Sequence, residues 1–573
     1  MAGGYRIQLG SSAKSVALSA HDADLRVSFE RAGMRVWSNE PILEISEDAW
    51  IIGHLFTRGP PSRRVSRIPD AVLDRFRATG GRSLLRDFWG GYLLIQADGE
   101  GRAMILRDPS GARPCYYRRD SDGVTLASDI TALASPANDR ADLDEIGRLL
   151  AGIDAPTRRT CVTGIEELVA GECLIVADGK VTIESWWSPW SHVAPNGMDF
   201  ADNAARLRDT ICDCVAAWVD CFPRALLDIS GGLDSSIVAA AAAPLSSKIT
   251  CLTHVGPDRD GDERHYARAV TESLGLTLHE CSLALDDIDI DQAPASHHPW
   301  PNAYHFKQAI AAMHSRFRTA NAVGAHFSGN GGDGIFCSLY SPTPLLDRVI
   351  AEGPRLALAA TLRDLSGVTG ADIPTILRYA WNKYRRDGGR HNVRHNTSGL
   401  RSHFVARMER SDKRHPWLVA PEESLPGKTS HVAFLMRAHR SLELYPRAEA
   451  PPHIAPLLSQ PVVELCLSIP TWMWITNGIN RSVARSAFSD RLPPMIATRV
   501  HKGGPSGFSF AIYRANRERI HALLRNGHLA AEGIIDTKLL DEPDDPSWRG
   551  AERIQRLLEF AAAESWARHW NDS

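Results

Sequence analysis

The chain has 573 residues, of which 43% are hydrophobic and 23% are charged. A single core does not grow to that size, so the length predicts two or more domains. The net charge of −3 offers no general attraction for phosphate backbones, which argues against a nucleic-acid substrate. The start of the chain lacks an apolar signal segment and no apolar run reaches roughly 18 residues. We therefore expect a cytoplasmic protein that does not bind membranes.

Short apolar runs separated by turn signals fill the first 190 residues or so. The runs at 50–53, 92–95 and 173–176 are typical of buried strands, and turns such as Asp108-Pro109-Ser110-Gly111 end them. The sequence therefore predicts a sheet-rich N-terminal domain. A tract rich in Trp and Pro at 186–197 interrupts the pattern, and we interpret it as a linker. The predicted domains are residues 1–195 and 196–573.

The spacing of apolar residues changes after the linker. Strands and helices then alternate, which predicts βαβ units and a parallel sheet. Beyond about residue 300 the chain is predicted to be mostly helical. The predicted elements are a helix at about 200–221, a strand at 225–229, a helix through 236–239, a strand at 249–255, a helix at about 262–274 and a strand near 276–278.

Residues 374–416 are strongly basic, with eleven Lys or Arg against three Asp or Glu. One interpretation is a solvated surface insertion. The other is a docking surface for an acidic peptide or partner protein. The sequence leaves both open.

The connection between strand 225–229 and the next helix has the composition of an anion site. It reads Ser230-Gly231-Gly232-Leu233-Asp234-Ser235-Ser236. The glycines let successive amide N–H groups converge on phosphate oxygens, and the following helix adds its positive dipole end. Ser230, Ser235 and Ser236 supply hydroxyl donors, while Asp234 can hold Mg²⁺.

This loop lacks the lysine of a Walker loop. A loop without a lysine for the γ-phosphate is suited to binding pyrophosphate as the leaving group. We therefore predict cleavage between the α- and β-phosphates and transfer of AMP.

A second glycine-rich loop, Ser328-Gly329-Asn330-Gly331-Gly332-Asp333-Gly334, follows a predicted strand at 325–327. Glycine-rich turns with one Asp are common by themselves. In a parallel sheet, however, ligands lie at the carboxyl ends of neighbouring strands. We therefore expect Asp333 to face Asp234 across the nucleotide, where two carboxylates suit Mg²⁺.

The two loops, in this order, resemble the synthetase domain of asparagine synthetase and its relatives. The segments PHIAPLLSQPVVELCLSIP and RLPPMIATRVHKGGPSGF resemble the C-terminal part of that domain, and Thr253-His254-Val255-Gly256 resembles its adenine-side strand. In the N-terminal half, FWGGYLLIQAD, RDPSGARPCYY and LASDITALA resemble the glutaminase domain of the same enzymes.

The resemblance implies an α/β fold with two parts, an N-terminal Ntn-glutaminase-like αββα sandwich and a C-terminal ATP pyrophosphatase domain with a parallel sheet and many helices. It implies ATP and Mg²⁺ as cofactors and Lys502 as the catalytic residue. The nucleotide-binding residues that it implies, with those of the first loop, are Ser230, Gly231, Gly232, Asp234, Ser235, Ser236, Val255, Ser328 and Gly329.

Two positions depart from the resembled pattern. Members that hydrolyse glutamine use a cysteine at position 2 as the nucleophile, whereas this chain has Ala2. Alanine cannot form the covalent intermediate, so glutamine is excluded as the ammonia source by this route. In glutamine-using relatives a Glu stands where this chain has Asn330, and Asn cannot accept a proton at physiological pH.

A degenerate glutaminase domain joined to an intact adenylating loop resembles the branch whose amine comes from the substrate. Within it we favour a lasso-peptide cyclase, which joins a side-chain carboxylate of a precursor peptide to the N-terminal amine of that peptide. The basic segment 374–416 and the aromatic segment 298–304 suit a peptide substrate. A leader-peptide protease and a leader-recognition protein are then expected partners. The alternatives are a β-lactam-type synthetase and an asparagine-synthetase-like ligase.

Overall fold

The computed structural model of the chain describes residues 4–10, 25–31, 33–99, 101–121, 123–134, 139–152, 157–256, 262–301, 304–389, 395–408, 414–440, 450–500, 506–543, 545 and 548–572. None of the helices in these ranges is long and apolar enough to cross a membrane.

The strands of the N-terminal half are β1 Tyr5–Gly10, β2 Arg26–Arg31, β3 Met34–Ser38, β4 Ile42–Ser46, β5 Ala49–Thr57, β6 Phe88–Ala97, β7 Ala103–Arg107, β8 Tyr116–Asp120, β9 Gly123–Ala127, β10 Ile165–Glu167, β11 Glu172–Ala177 and β12 Lys180–Ser185. Those of the C-terminal half are β13 Ala225–Asp228, β14 Ile249–Val255, β15 Leu278–Ser282, β16 Ala325–Phe327 and β17 His453–Ile454.

The helices are α1 Asp70–Ala78, α2 Leu84–Asp87, α3 Leu143–Ala151, α4 Phe200–Val219, α5 Leu233–Ala242, α6 Arg264–Leu274, α7 Phe306–Ala320, α8 Gly332–Ile335, α9 Thr343–Glu352, α10 Ala357–Thr369, α11 Ile373–Asp387, α12 Ser402–Met408, α13 Pro426–His439, α14 Gln460–Ser468, α15 Ser482–Ala487, α16 Pro494–Ala497, α17 Ser506–Arg525, α18 His528–Ala531 and α19 Trp548–Asn571.

Two antiparallel sheets form the N-terminal half. In the described residues their strand orders are β10-β8-β9-β1-β3-β2 and β12-β11-β7-β6-β5-β4. Successive side chains of strand β5 point to opposite faces of the sheet. Trp50 and Ile52 pack between the two sheets, whereas Ile51 and Leu55 pack outward against helices. Because both faces are covered, the strand sequence is an almost continuous apolar run.

Helices cover the outer faces of both sheets. Leu207, Ile211 and Trp218 of α4 share a core with the second sheet, and Ile146 and Leu150 of α3 share one with Tyr116 and Ala127 of the first. The layers are therefore helix, sheet, sheet and helix. This confirms the αββα sandwich that the sequence resemblance implied.

The C-terminal half contains a parallel sheet with the order β15-β14-β13-β16-β17. The strand predicted at 249–255 is confirmed, and the helix predicted from about 262 begins at Arg264. From β13 the chain moves outward through β14 to β15, and later returns to the other side of β13 with β16. A crevice forms at the carboxyl ends of the strands where the order reverses, and ligands bind there in open parallel sheets.

The tract interpreted as a linker is packed against the C-terminal half. The Trp187 indole N–H donates to Glu464 Oε1 at 3.0 Å, and the Trp190 indole N–H donates to the Trp417 carbonyl at 3.0 Å. Arg58, from the sandwich, donates to Glu464 Oε2 at 2.7 Å and to its Oε1 at 3.2 Å. Glu464 therefore joins the sandwich, the tract and helix α14 through one carboxylate.

The pKa of Glu464 reflects this position. Burial by itself raises it, but the hydrogen bonds and charge of Arg58 outweigh burial, and the pKa lies below its usual value. The carboxylate is therefore ionised when the chain is folded.

We expect Arg58→Met to lower the free energy of unfolding by roughly 2–3 kcal/mol at neutral pH, because it leaves a buried carboxylate without its cation. The folded pKa of Glu464 is below the unfolded value, so the stability that the pair contributes is lost as the pH falls through the folded pKa. Urea unfolding of wild type and variant at neutral and acidic pH measures the difference, which should shrink in acid.

The matched control is Arg75→Met, at an ion pair with Asp87 whose arginine side chain is 45% exposed. Solvent screens such a pair, and its loss should cost less than about 1 kcal/mol. Equal costs for the two variants would show that the Glu464 cluster does not join the halves energetically.

Candidate nucleotide and metal site

A cavity of about 780 Å³ opens at the carboxyl ends of β13 and β16. Both glycine-rich loops line it, together with α13 and the segment from Asn480 to Val500. Its position is the crevice that the strand order creates. Its volume lies within the usual range for small-molecule sites.

The first loop is shaped by a glycine in the left-handed region. Gly231 has φ +64°, and a Cβ there would lie 2.2 Å from Tyr266 Cβ on α6. The Ser230 hydroxyl accepts from the Gly232 N–H at 3.3 Å, which closes a tight turn directly before α5. The first N–H groups of α5 therefore face the cavity, as an anion site requires.

The second loop lies directly against the start of α5. A Cβ at Gly329 would be 2.4 Å from the Ser235 backbone nitrogen, and a Cβ at Gly332 would be 2.2 Å from Asp234 Cγ. Any side chain at these two positions would therefore displace the first loop. This close approach brings Asp333, next to Gly332, to the same end of the cavity as Asp234.

One guanidinium bridges the two carboxylates. Arg481 Nη1 lies 3.1 Å from Asp234 Oδ1, 3.2 Å from Asp234 Oδ2 and 2.7 Å from Asp333 Oδ1. Arg481 has φ +55°, an uncommon conformation for a residue with a side chain. The expected juxtaposition of Asp234 and Asp333 is present, and a cation already lies between them.

Arg485 holds the backbone that carries Arg481. Its buried guanidinium donates to the carbonyls of Asn480 at 2.8 Å, Ala497 at 2.7 Å and Arg499 at 2.7 Å. Burial first, and then the charge of Arg481, lowers the pKa of Arg485 to about 10. It still carries a charge at neutral pH, and it ties together the two ends of the segment 480–499.

A second arginine closes the first loop from outside. Arg499 donates to the Gly231 carbonyl at 3.1 Å, pairs with Glu263 and stacks 3.7 Å from the centroid of the Tyr266 ring. Tyr266 is the residue that the Gly231 turn approaches most closely. The acidic turn before α6 therefore supports the loop through Glu263 and Arg499.

A buried ionic cluster lies beneath the cavity at the end of β13. Asp228 lines the cavity, and its Oδ1 is 2.8 Å from His314 Nε2 on α7. Burial raises the pKa of Asp228, but the charge and hydrogen bond of His314 outweigh it and the pKa lies below its usual value. The neighbouring His326 ring is 4.9 Å from that of His314, and burial and the charge of His314 lower its pKa to about 3.

Only some of the residues that were predicted from the sequence line the cavity. Six of them line the cavity, namely Ser230, Gly232, Asp234, Ser235, Gly329 and Asp333. Ser236 is fully buried in the first turn of α5 and does not line the cavity. The Gly231 carbonyl bonds Arg499, and the Ser328 hydroxyl lies 2.9 Å from His453 Nε2. Val255 ends β14. Ala2 and Lys502 lie outside the described residues.

The sequence interpretation missed Arg481, Arg485, Arg499 and the Asp228–His314 pair. The three arginines belong to the same C-terminal segment as Lys502, so a basic cluster could have been noticed there. The sequence does not indicate that this segment folds back onto the first loop. Asp228 interrupts an apolar strand, and a charge at such a position is a signal for a buried partner.

One sequence argument is wrong. The aromatic segment 298–304 was expected to suit a peptide, but His298 and Trp300 are buried. The Trp300 indole N–H donates to the Arg159 carbonyl at 3.2 Å, and the Arg440 guanidinium lies 4.1 Å from its ring centroid. These side chains pack the two halves together. They offer no surface to a peptide.

The residues around Arg481 fit a magnesium ion. Asp234 and Asp333 supply carboxylate oxygens that meet at one point, and both sit beside N–H groups suited to phosphate. Mg²⁺ usually takes one or two protein carboxylates and completes its shell with phosphate and water. The predicted metal ligands therefore fit, with Arg481 as the cation that holds them in the structure.

The fold and the site together define a class. A sandwich of the Ntn-glutaminase type precedes a parallel-sheet domain whose glycine loops, paired acids and arginines line a cavity suited to phosphate. Comparison with known families agrees with both parts. The family described as Asparagine synthase matches residues 206–568, and the Glutamine amidotransferase domain matches residues 69–187. The chain belongs to the asparagine synthase family.

One curated relative is the protein called Asparagine synthetase [glutamine-hydrolyzing] 3 of Bacillus subtilis (strain 168). It is 24% identical over 203 residues, which is 32% of this chain and 32% of the relative. The match thus spans about a third of that relative's length.

Two solved structures share part of the chain path. The first is glutamine phosphoribosylpyrophosphate amidotransferase from B. subtilis complexed with ADP and GMP, with a TM-score of 0.18, 12% identity and coverage of 48% of this chain and 59% of that chain. The second is the allosteric regulatory enzyme of purine biosynthesis, with a TM-score of 0.19, 12% identity and coverage of 52% and 76%. Likenesses this weak carry no argument.

We expect Gly332→Ala to weaken MgATP binding or turnover by roughly 10²-fold, the scale of a misplacement of about 1 Å. The new Cβ would lie 2.2 Å from Asp234 Cγ and must push that carboxylate aside. Titration with a fluorescent ATP analogue in the presence of Mg²⁺ measures the effect.

Gly4→Ala is the control for the methyl group itself, since its nearest neighbour would be 3.5 Å away. Circular dichroism checks that both variants fold. Wild-type nucleotide affinity and turnover in a folded Gly332→Ala protein would refute the close approach of the two loops.

Proposed function

We propose that this chain is an ATP-dependent carbon–nitrogen ligase that adenylates a carboxylate and passes the acyl group to an amine, releasing AMP and pyrophosphate. One observation carries the proposal: two glycine loops pack so closely that Asp234 and Asp333 share Arg481 at the start of α5. This arrangement suits the binding and departure of pyrophosphate.

Different residues of the chain have different roles in the first step, the adenylation of the carboxylate. The N–H groups at the start of α5 and the Ser230 and Ser235 hydroxyls bind phosphate oxygens. Arg481 and Arg499 supply positive charge where the pyrophosphate gains negative charge. Asp234 and Asp333 would hold Mg²⁺, which when bound neutralises charge on the phosphates.

The second step is the attack of an amine on the acyl-adenylate. Ala2 has no nucleophile for releasing ammonia from glutamine, and Asn330 has no proton-accepting group. We infer that the amine belongs to the substrate itself. Lys502 is the proposed stabiliser of the charge that develops on the acyl oxygen and on the departing AMP.

Among ligases with a substrate-borne amine, we propose a macrolactam synthetase of the lasso-peptide type. Its substrate is a precursor peptide whose side-chain carboxylate joins its own N-terminal amine. A leader-peptide protease and a leader-recognition protein are the corresponding proposed partners. The support is the degenerate sandwich together with a cavity of about 780 Å³ whose lining includes Arg437, Arg481 and Arg499.

The chemistry is tested by incubating the chain with ATP, Mg²⁺ and any small peptide encoded by an open reading frame beside its own. We expect AMP and pyrophosphate to appear in equal amounts, and the peptide to lose the mass of one water. Added glutamine should not be hydrolysed. Production of ADP and phosphate would rule out adenylation, and consumption of a small β-amino acid instead of peptide would identify a β-lactam-type enzyme.

Lys502→Met should slow amide formation by roughly 10²-fold or more, the cost of removing one preorganised charge-stabilising donor. ATP should still bind, because the first loop is unchanged. Lys502→Arg should rescue poorly, since a planar fork does not occupy the position of a point ammonium. Single-turnover measurement with saturating peptide separates amide formation from binding.

Lys248→Met is the control for the loss of one positive charge, because Lys248 pairs with Asp220 at the surface. Lys248 directly precedes β14, at the edge of the parallel sheet opposite to the loops. The assigned role of Lys502 fails if Lys502→Met forms product as fast as Lys248→Met.

A further inference from the structure

Helix α11 exposes a strip of large apolar side chains. Ile373, Leu377, Trp381 and Tyr384 are between 43% and 59% exposed. At 100° per residue they fall within about 80° of the helix circumference. We call these four residues the α11 strip.

The α11 strip adjoins the packed side of the helix, since Ala380 lies about 20° around the helix from Ile373. Ile376 and Ala380 are buried in a small core with Leu345 of α9, Leu365 of α10 and Ile475. Since that core fixes the rotation of the helix, the α11 strip faces outward and does not arise from a loosely placed helix.

Ile350 of α9 lies across a groove from Tyr384, and the same groove is lined by Glu422 and Glu423. Val349 and Ile350 of α9 are exposed, and so is Leu356, which directly precedes α10. The groove has a volume of about 470 Å³. Single exposed apolar residues are normal on a protein surface, but a contiguous group marks an interaction site.

Basic side chains flank the strip along one edge. By helical geometry Arg378 and Arg385 both lie beside Trp381 on the side away from the packed core. The Arg385 guanidinium is 5.8 Å from the Trp381 ring centroid, and that of Arg378 is 5.9 Å from Tyr379. Within the described ranges, neither arginine has a carboxylate at ion-pair distance. The edge is therefore positive and open to an acidic group.

We propose that the α11 strip docks an amphipathic helical segment of a partner polypeptide, with apolar residues along its contact face and carboxylates along the edge that meets Arg378 and Arg385. A helix that docks on an apolar surface does so through its own residues at i, i+3, i+4 and i+7, which form one apolar face. The charged edge then sets the orientation and the choice of partner. This surface is separate from the amide chemistry and does not depend on it.

The test is a selection from a displayed library of amphipathic helices in which the contact face is apolar and both edges vary between Glu, Lys and Ser. The full chain is the bait. We expect wild-type protein to enrich helices with Glu on one edge. With Arg378→Glu and Arg385→Glu combined, the preferred residue should change to Lys.

One enriched peptide is then labelled and titrated by fluorescence anisotropy. We expect Leu377→Ser with Trp381→Ser to weaken binding at least tenfold, while Val419→Ser, which removes an exposed apolar residue outside the strip, leaves the affinity unchanged. Because these residues are exposed, the variants should fold. Failure to enrich any helix, enrichment without Glu, or equal affinity for all variants would overturn the proposal.

Discussion

The second glycine loop touches the first turn of α5 without room for a side chain between them. Gly329 faces the backbone of Ser235, and Gly332 faces the carboxylate of Asp234. Two adjacent parallel strands, β13 and β16, bring the loops to one edge of the sheet, but strands alone would leave the loops apart. The missing Cβ atoms allow the final approach, and they place Asp333 beside Asp234.

Once two carboxylates are brought together, they need a cation. Like charges at one end of a cavity repel each other, less strongly where water screens them, as it does at Asp333, whose side chain is 77% exposed. Arg481 meets this need in the structure, and it does so from a left-handed backbone conformation that costs roughly 1–3 kcal/mol. Arg485 offsets that cost by binding the carbonyls on both sides of the segment. The site is therefore organised around charge balance before any ligand enters.

Elements with a strong local pattern could be predicted from the sequence. The strand at 249–255 and a sheet-rich N-terminal domain follow from apolar runs and turn residues, and the first loop follows from its glycines and serines. The sandwich of two sheets was implied by the family resemblance. The partners of Asp234 could not be predicted in this way. Arg481 is 247 residues away in the chain, and no local pattern states which basic residue of the C-terminal segment returns to the loop. The role of His298 and Trp300 was predicted wrongly for the same reason. An aromatic segment has the same sequence pattern whether it forms a binding surface or a buried interface.

Helices α9 to α11 are connected to the site through a close approach of two glycines. The two loops contact each other in the same way. Gly367 of α10 lies so close to Gly478 that a Cβ would be 2.8 Å from its Cα, and Gly478 is three residues before Arg481. The backbone that presents Arg481 to the two carboxylates therefore rests on α10, and α10 packs against α11 through Leu365 and Ile376. A surface helix that only covered the core would need a narrower apolar face than α11 has. The buried part of that face supports the segment that carries Arg481, and its exposed part remains available to a second polypeptide at the edge of the same packed unit.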